Sequence, residues 1–251
     1  EADTLDTKMM INQIPDETIL TRQDILQIAC EVDVSFRETL LRNLLENLLQ
    51  EGILVRAGRG RYQKFSYEAK KATYLNQYSK EAKNIVEEMN DKFPLMDYRI
   101  WEINWLNEFW NHQIAQNKIF LEVENIGCEF VYTELCERHS GKILLRPDEN
   151  ELYRYGGQNT IIVDRLISEA PKGSPYPYNT PLEKIVVDLF ANRNLKSMVH
   201  TGEYATALLD MFGKYRIDQV KLFRYAKRRH KKEEIFYFLK DEAHIKIYVE
   251  E

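Results

Sequence analysis

Long apolar runs are missing from this sequence. No stretch approaches the roughly eighteen uncharged apolar residues that a membrane-spanning helix needs. Charged residues recur from Asp3 to Asp24, where a secretion signal would have its apolar core. We therefore expect a soluble, cytoplasmic protein that makes no membrane contact. The chain of 251 residues has an ordinary apolar content, so it is long enough to bury one large core or two ordinary ones.

Paired cysteines and metal-ligand spacings are missing as well. The three cysteines are an odd number, at Cys30, Cys128 and Cys136, and none has a second cysteine at the close spacing of a metal site. The five histidines are scattered along the chain. From this spacing we expect no disulfide framework, no metal and no cofactor.

Glycine is scarce, and its positions exclude several enzyme classes. The ten glycines form neither Gly-x-Gly-x-x-Gly nor Gly-x-Ser-x-Gly, which argues against a dinucleotide fold and a serine hydrolase. Gly173-Ser174 runs into Pro175 without the aspartate pair that a nucleotidyltransferase needs. The net charge of −5 tells against a uniformly basic protein, so any nucleic-acid surface has to be local.

Residues 21–66 have the pattern helix, helix, hairpin. Thr21 can cap a first helix that stops at Asp33, and Ser35 to Glu38 has the form of a capping box for a second. Gly52 ends the second helix, and strands at 53–56 and 62–65 flank a glycine-rich tip. The expected core face of the second helix consists of Phe36, Leu40, Leu41, Leu44, Leu45, Leu48 and Leu49. This pattern predicts a winged helix-turn-helix over residues 1–66.

The polar face of the second helix and the hairpin carry side chains suited to DNA. Arginine binds guanine and asparagine binds adenine in the major groove, while arginine at a hairpin tip favours the backbone or the minor groove. Residues 36–64 hold six bases and three acids. The candidate DNA-binding residues are Arg37, Thr39, Arg42, Asn43, Arg56, Arg59, Arg61 and Lys64. Residues 1–66 as a whole carry eleven acids and eight bases, so a winged helix used only for protein contacts stays open.

A polar stretch at 67–78 is the expected linker, and an α/β pattern follows over 79–251. Strands are predicted at 98–102, 118–123, 142–145 and 160–163, alternating with helices that include the tryptophan-rich segment around Trp105. This alternation favours a mostly parallel sheet. After a proline-rich break, Thr180 to Glu183 has the form of a capping box with Pro181 at the first helical position. The tail is predicted to be helical over 182–191, 201–212 and 218–229, with a last strand at 235–239. The fold class is therefore α+β, with a winged helix followed by a mixed α/β domain and a helical, basic tail.

The third of these tail helices carries the densest basic cluster of the chain. Such a cluster could hold a phosphate backbone or an RNA, or could simply be a solvated helix terminus that the helix dipole favours. Its residues are Lys221, Arg224, Lys227, Arg228, Arg229, Lys231 and Lys232.

Together these segments resemble the AbiEi-type antitoxin regulators of type IV toxin-antitoxin systems in bacterial abortive infection. The resemblance lies in Leu49 to Tyr62, Lys118 to Glu124, Thr180 to Phe190, Lys214 to Ile217 and Leu222 to Arg229. It implies a transcriptional regulator that binds double-stranded repeats in its own promoter and opposes a nucleotidyltransferase-like toxin. It implies no catalytic residue and no enzyme activity.

Two other functions are weighed against this one. A Mg²⁺-dependent nuclease of restriction-endonuclease type could use Glu122 and Glu124 on one strand face, but no lysine follows at the required position. Glu183 and Asp188 are better explained as a cap and a surface residue of a helix than as parts of such a site. A protein-interaction module could instead expose the stripe formed by Trp101, Trp105, Phe109 and Trp110, although such stripes more often belong to a core.

Overall fold

The computed structural model describes residues 6–15, 18–64 and 71–249. The chain is a mixed α+β protein, as predicted, and it divides into two compact units. The first takes in the described part of Glu1–Thr73 with Lys214–Val220 and Ile247–Glu251, and the second comprises Tyr74–Gly213 and Lys221–Lys246. None of the helices in the described part of the chain has the length and apolar character of a membrane span.

The first unit combines three helices with a small antiparallel sheet. Its strands lie in the order β1-β3-β2, with Leu20 opposite Tyr62 and Arg56 also opposite Tyr62 on the other side. The first helix and the first strand were not predicted. In chain order the elements are α1 (Thr7–Gln13), β1 (Ile19–Thr21), α2 (Arg22–Val32), α3 (Glu38–Gln50), β2 (Leu54–Gly58) and β3 (Arg61–Lys64).

Local capping explains why α2 begins where the sequence predicted. The Asp24 backbone N–H donates to Thr21 Oγ1, and the Asp24 carboxylate accepts from the Thr21 backbone N–H at 2.6 Å. The capping box predicted at Ser35 is wrong, because Ser35 donates to Asp33 through both its backbone N–H and its hydroxyl. The turn held by Asp33 delays α3 to Glu38, after an Arg37 cap without a side-chain hydrogen bond.

The core of the first unit forms against one side of α3. Leu41, Leu45 and Leu48 are buried there with residues of α1 and α2. Leu40 was expected in this core but is half exposed. The seven expected apolar positions spread over about half of the helix circumference, which is wider than the surface the neighbouring elements cover. Gly52 ends the helix with a φ of 71°, a left-handed conformation that favours glycine.

The second unit contains a four-stranded sheet in the order β4-β5-β7-β6. The pair β4/β5 is antiparallel, and the pairs β5/β7 and β6/β7 are parallel, so the predicted mostly parallel sheet is confirmed. The strands are β4 (Tyr98–Glu102), β5 (Lys118–Val123), β6 (Ile143–Leu145) and β7 (Thr160–Arg165). The α-helices are α4 (Lys80–Lys92), α5 (Cys128–Cys136), α6 (Glu149–Tyr155), α7 (Leu182–Ala191), α8 (Arg193–Met198), α9 (Tyr204–Lys214), α10 (Gln219–Arg228) and α11 (Lys232–Tyr237).

Three predictions for this unit are wrong in type or detail. The strand predicted at 235–239 is helical, because Ile235, Phe236 and Leu239 are buried at helical spacing, and acidic residues in the first turn of α11 favour a helix start there. The tryptophan-rich helix is a short 3₁₀ helix, Ile103–Glu108. Thr180 does not cap α7, since its hydroxyl donates to the Ile100 carbonyl at 2.9 Å and Pro181 takes the N-cap position. The helices α6 and α8 were not predicted.

The aromatic stripe considered from the sequence belongs to the core of the second unit. Trp101, Trp105 and Trp110 are buried, so the docking stripe considered from the sequence is not exposed. Helices α4 and α5 pack against residues of β4, β5, β6 and β7 in one apolar cluster.

Of the expected linker, residues 67–70 lie outside the described residues, as does Phe65 of the second predicted hairpin strand.

Candidate nucleic-acid interface

The outward side of α3 carries the side chains that the sequence assigned to base reading. Arg37, Thr39, Arg42 and Asn43 are all exposed. Arg42 Nε donates to the Glu46 carboxylate at 3.0 Å, with 78% and 57% of the two side chains exposed. An ion pair this exposed contributes at most about 1 kcal/mol. Arg42 can therefore exchange this partner for a base or a phosphate at little cost.

The hairpin that follows α3 displays three arginines. Arg56, Arg59 and Arg61 are exposed, and Gly60 turns the tip with a φ of 68° that favours glycine. Lys64 differs from its prediction: it is buried, and its Nζ donates to the Ile14 carbonyl at 2.9 Å. This hydrogen bond links β3 to the C-terminal end of α1, and the Lys64 ammonium is not part of the exposed surface. Between residues 36 and 64, five arginines then remain against three glutamates.

The basic helix α10 of the second unit keeps only part of its predicted surface. Lys221, Arg224, Lys227 and Arg228 are exposed. Arg224 Nε lies 3.3 Å from the Glu169 carboxylate, and Arg228 Nε donates to Ser168 Oγ at 2.5 Å. The other three predicted residues are only partly exposed. Arg229 pairs with Asp188 in the interior of the unit, Lys231 pairs with Glu234, and Lys232 is the first residue of α11.

A cleft of about 590 Å³ lies next to α10, beyond the carboxyl end of β5. Arg99, Lys221 and Arg224 line it together with the acidic residues Asp97 and Glu124. The Arg99 guanidinium is already held by Asp97 at 2.7 Å and by the Pro171 carbonyl at 3.0 Å. Because charges of both signs line the cleft, it shows no selective attraction for an anion.

A set of charged side chains is buried between β5, α7 and α10, and it includes Asp188 and Arg229, which the sequence analysis placed at the surface. Lys184 Nζ contacts the Glu122 carboxylate and donates to Asp188 at 2.5 Å. Asp188 also accepts from Arg229 at 2.6 Å and from the Tyr225 hydroxyl at 3.1 Å. We call these five residues the buried ionic cluster. Its two carboxylates and two cations balance, so the cluster is neutral when all four are ionised.

Burial and pairing shift the pKa values within the buried ionic cluster. Burial raises the pKa of Glu122 to about 7, even though the charge of Lys184 opposes the rise. Burial alone would lower the pKa of Lys184, but Asp188 and Glu122 outweigh it and hold that pKa above its ordinary value. Burial, and then the charge of Asp188, raises the pKa of Tyr225. Lys184 is therefore a permanent cation at neutral pH.

This cluster corrects the sequence interpretation of α7. Asp188 is not a surface residue, and Glu183, which was expected to cap the helix, is buried as well. Nor do Glu122 and Glu124 form one carboxylate pair: Glu122 is engaged by Lys184, whereas Glu124 is exposed, outside β5, and accepts from the Asp97 backbone N–H at 3.2 Å. The sequence did contain a signal for this buried ion pair. Lys184 and Asp188 are oppositely charged residues at i and i+4, and they lie at the edge of and inside the otherwise apolar stretch 185–190.

Comparison with known proteins gives a family. A model described as a family of unknown function, DUF6577, matches residues 40–245. No curated protein matches the chain. Among solved structures, the crystal structure of the RV2827C protein from Mycobacterium tuberculosis shares 12% identity, with 94% of this chain and 75% of that chain covered at a TM-score of 0.38.

Proposed function

This chain belongs to DUF6577, a family of unknown function, and we propose from its own residues that it is a DNA-binding transcriptional regulator and not an enzyme. One observation carries the proposal. Within a single unit, the exposed side of α3 presents Arg42 and Asn43, and the hairpin that directly follows presents Arg59 and Arg61. These are the residue types that read base edges and hold phosphates.

The order of elements supports a winged helix as the DNA-binding module. A helix and a short strand precede α2 and α3, two strands follow, and the first strand pairs with the last to give the order β1-β3-β2. In a helix-turn-helix of this kind the second helix enters the major groove. In our proposal α3 is that recognition helix, and the β2–β3 hairpin is the wing.

The proposed roles of the two surfaces differ. Arg42 and Asn43 contact base edges, and the half-exposed Leu40 is suited to apolar contact with a thymine methyl group. Arg59 and Arg61 neutralise phosphates near the tip of the wing, which releases counterions and makes binding sensitive to salt. Lys64 has no DNA contact in this proposal.

A narrower proposal concerns the biological role. The resemblance of five segments to AbiEi-type regulators supports an antitoxin that represses its own operon by binding repeats in its promoter in the cytoplasm. Its functional partner would be a nucleotidyltransferase-like toxin. The exposed basic residues of α10 remain candidates for a second nucleic-acid contact.

The competing function is a winged helix used for protein contacts. It is favoured by two apolar side chains near the start of α3, since Val34 is 94% exposed and Leu40 is 50% exposed. A partner surface could cover them. This function predicts no affinity for duplex DNA at low salt.

Fluorescence anisotropy with a labelled duplex separates these possibilities. We expect wild-type protein to bind, and the double variant Arg59→Gln, Arg61→Gln to bind more weakly with a shallower salt slope, by about 0.9 per lost phosphate contact. The matched control is Arg193→Gln with Lys196→Gln, which removes the same charge from exposed positions of α8. Equal losses in both double variants would mean that overall charge, and not the wing, attracts DNA.

A further inference from the structure

Three side chains of the second unit converge although two of them lie 91 positions apart in the chain. His112 follows the 3₁₀ helix Ile103–Glu108, and His200 and Glu203 flank the turn that leads into α9. Each offers one ligand atom, and these atoms all lie within 4.8 Å of one another. Among the described residues, this is the one group of at least three histidine, cysteine or acidic side chains with such spacing.

Hydrogen bonds to backbone atoms join the two chain segments that carry the three side chains. Glu203 accepts from the Asn111 backbone N–H at 2.6 Å and from the His112 backbone N–H at 3.3 Å. The buried Trp110 donates its indole N–H to the His200 carbonyl at 3.1 Å. The two imidazole rings stack with centroids 4.5 Å apart and an angle of 18° between them. The site is therefore held from both of the chain segments that form it.

The three ligand atoms lie close to the spacing that a small divalent ion requires, and turning one of the two stacked rings lets both imidazole nitrogens point at one ion. His112 Nδ1 contacts Glu203 Oε1, and His200 Nδ1 lies 3.7 Å from the same oxygen. Ligand atoms around tetrahedral zinc, with bonds of about 2.0–2.1 Å, are separated by about 3.4 Å. The separation between His112 Nδ1 and Glu203 Oε1 is too short for this geometry. A rotation of the His112 side chain, 70% of which is exposed, lengthens it.

We propose that His112, His200 and Glu203 bind a divalent transition-metal ion of the Zn²⁺ class. Two imidazole nitrogens and one carboxylate oxygen are a donor set that zinc accepts, whereas Mg²⁺ and Ca²⁺ prefer oxygen alone. The ion fastens the segment that carries Trp110 to the start of α9. A fourth position stays open to water or to a donor from a partner, because both rings are more than half exposed.

Metal binding to the full chain tests this proposal without any use of DNA. After chelator treatment under reducing conditions, Zn²⁺ is titrated by calorimetry, with Mg²⁺ as the comparison ion. We expect one zinc equivalent that is lost, or weakened at least tenfold, in the double variant His112→Asn, His200→Asn. The matched control is His230→Asn with His244→Asn. Both of these exposed histidines have positive φ angles of 55° and 52°, which asparagine tolerates.

A second readout guards against a variant that fails to fold. Zinc should raise the melting temperature of wild-type and control proteins, followed by tryptophan emission, and leave that of the double variant unchanged, because only a folded site stabilises by binding. Equal zinc binding by wild type and a folded double variant would overturn the proposal, as would a wild-type protein that binds no zinc at micromolar concentration. Failure of DNA binding would leave this result unaffected, since the ligands belong to the second unit.

Discussion

Replacing Lys184 by methionine should destabilise the second unit far more than removing an exposed lysine. Lys184 is fully buried and is the shared partner of Glu122 and Asp188. Methionine keeps most of the side-chain volume, so the change removes charge with little cavity. Two carboxylates then face Arg229 alone, and the buried ionic cluster carries an uncompensated negative charge.

The expected cost follows from that imbalance. Breaking a buried ion pair by removing one partner costs about 3–5 kcal/mol, whereas removing both partners can be nearly neutral. The double variant Lys184→Met, Glu122→Gln leaves Asp188 opposite Arg229 and is balanced again. We therefore expect it to recover most of the stability that the single variant loses.

The pH dependence has a definite sign. The pKa of Glu122 is already raised to about 7 with Lys184 present, and the charge of Lys184 lowers it, so it must rise further in the single variant. A carboxyl group whose pKa is higher in the folded than in the unfolded state loses stability as pH rises through the folded value. The deficit of the Lys184→Met variant should be larger at pH 8 than at pH 5, where Glu122 can take up a proton.

Urea denaturation followed by tryptophan emission measures this in the second unit alone. All three tryptophans of the chain, Trp101, Trp105 and Trp110, are buried in that unit. The control Lys196→Met removes an exposed lysine from α8, and its effect should stay within about 0.5 kcal/mol. Equal effects of the two single variants, or a double variant no more stable than Lys184→Met, would refute the assigned role of the cluster.

Two further predictions concern the first unit. Replacing Arg42 and Asn43 together by alanine should reduce the preference for operator over unrelated duplex, at about 1–3 kcal/mol per lost base contact. The Arg59, Arg61 double variant should instead weaken binding to both duplexes alike. Competition gel shifts measure this preference, and identical behaviour of the two double variants would contradict the separation of roles. Gly52→Ala should destabilise the unit by about 1–2 kcal/mol because alanine is strained at a φ of 71°, and its Cβ would also displace the Arg216 side chain, 2.8 Å away, which donates to the Gln50 carbonyl. Thermal unfolding followed by circular dichroism measures the loss. The control is Gly58→Ala, whose added Cβ would meet its neighbours at ordinary van der Waals distance. An equally small effect of both changes would count against the predicted strain at Gly52.

Elements with local signals could be predicted from the sequence. Thr21 and Asp24 form a complete cap, and Ser79 caps α4 by accepting from the Ala82 backbone N–H at 3.1 Å. Runs rich in apolar residues mark the strands β4 and β5. Each signal lies within a few residues of the structure it determines. The predictions of α2, β4 and β5 were therefore confirmed to within a residue or two.

The wrong predictions have local competitors or partners distant in sequence. The Ser35 hydroxyl donates to Asp33, only two residues away, instead of capping α3. The Thr180 hydroxyl donates to the Ile100 carbonyl of β4, 80 positions away. The aromatic run from Ile235 has strand propensity, yet packing fixes it as a helix. Lys184 and Glu122 lie 62 positions apart, and no local pattern indicates that they meet.

A gel-shift titration of the protein against the DNA upstream of its own gene tests both DNA binding and its sequence specificity. It should include unrelated duplex as competitor and two salt concentrations. We expect retardation of the upstream DNA that survives excess competitor and weakens steeply with salt. Folded protein that leaves this DNA unshifted at low salt, or shifts both duplexes equally, would contradict it.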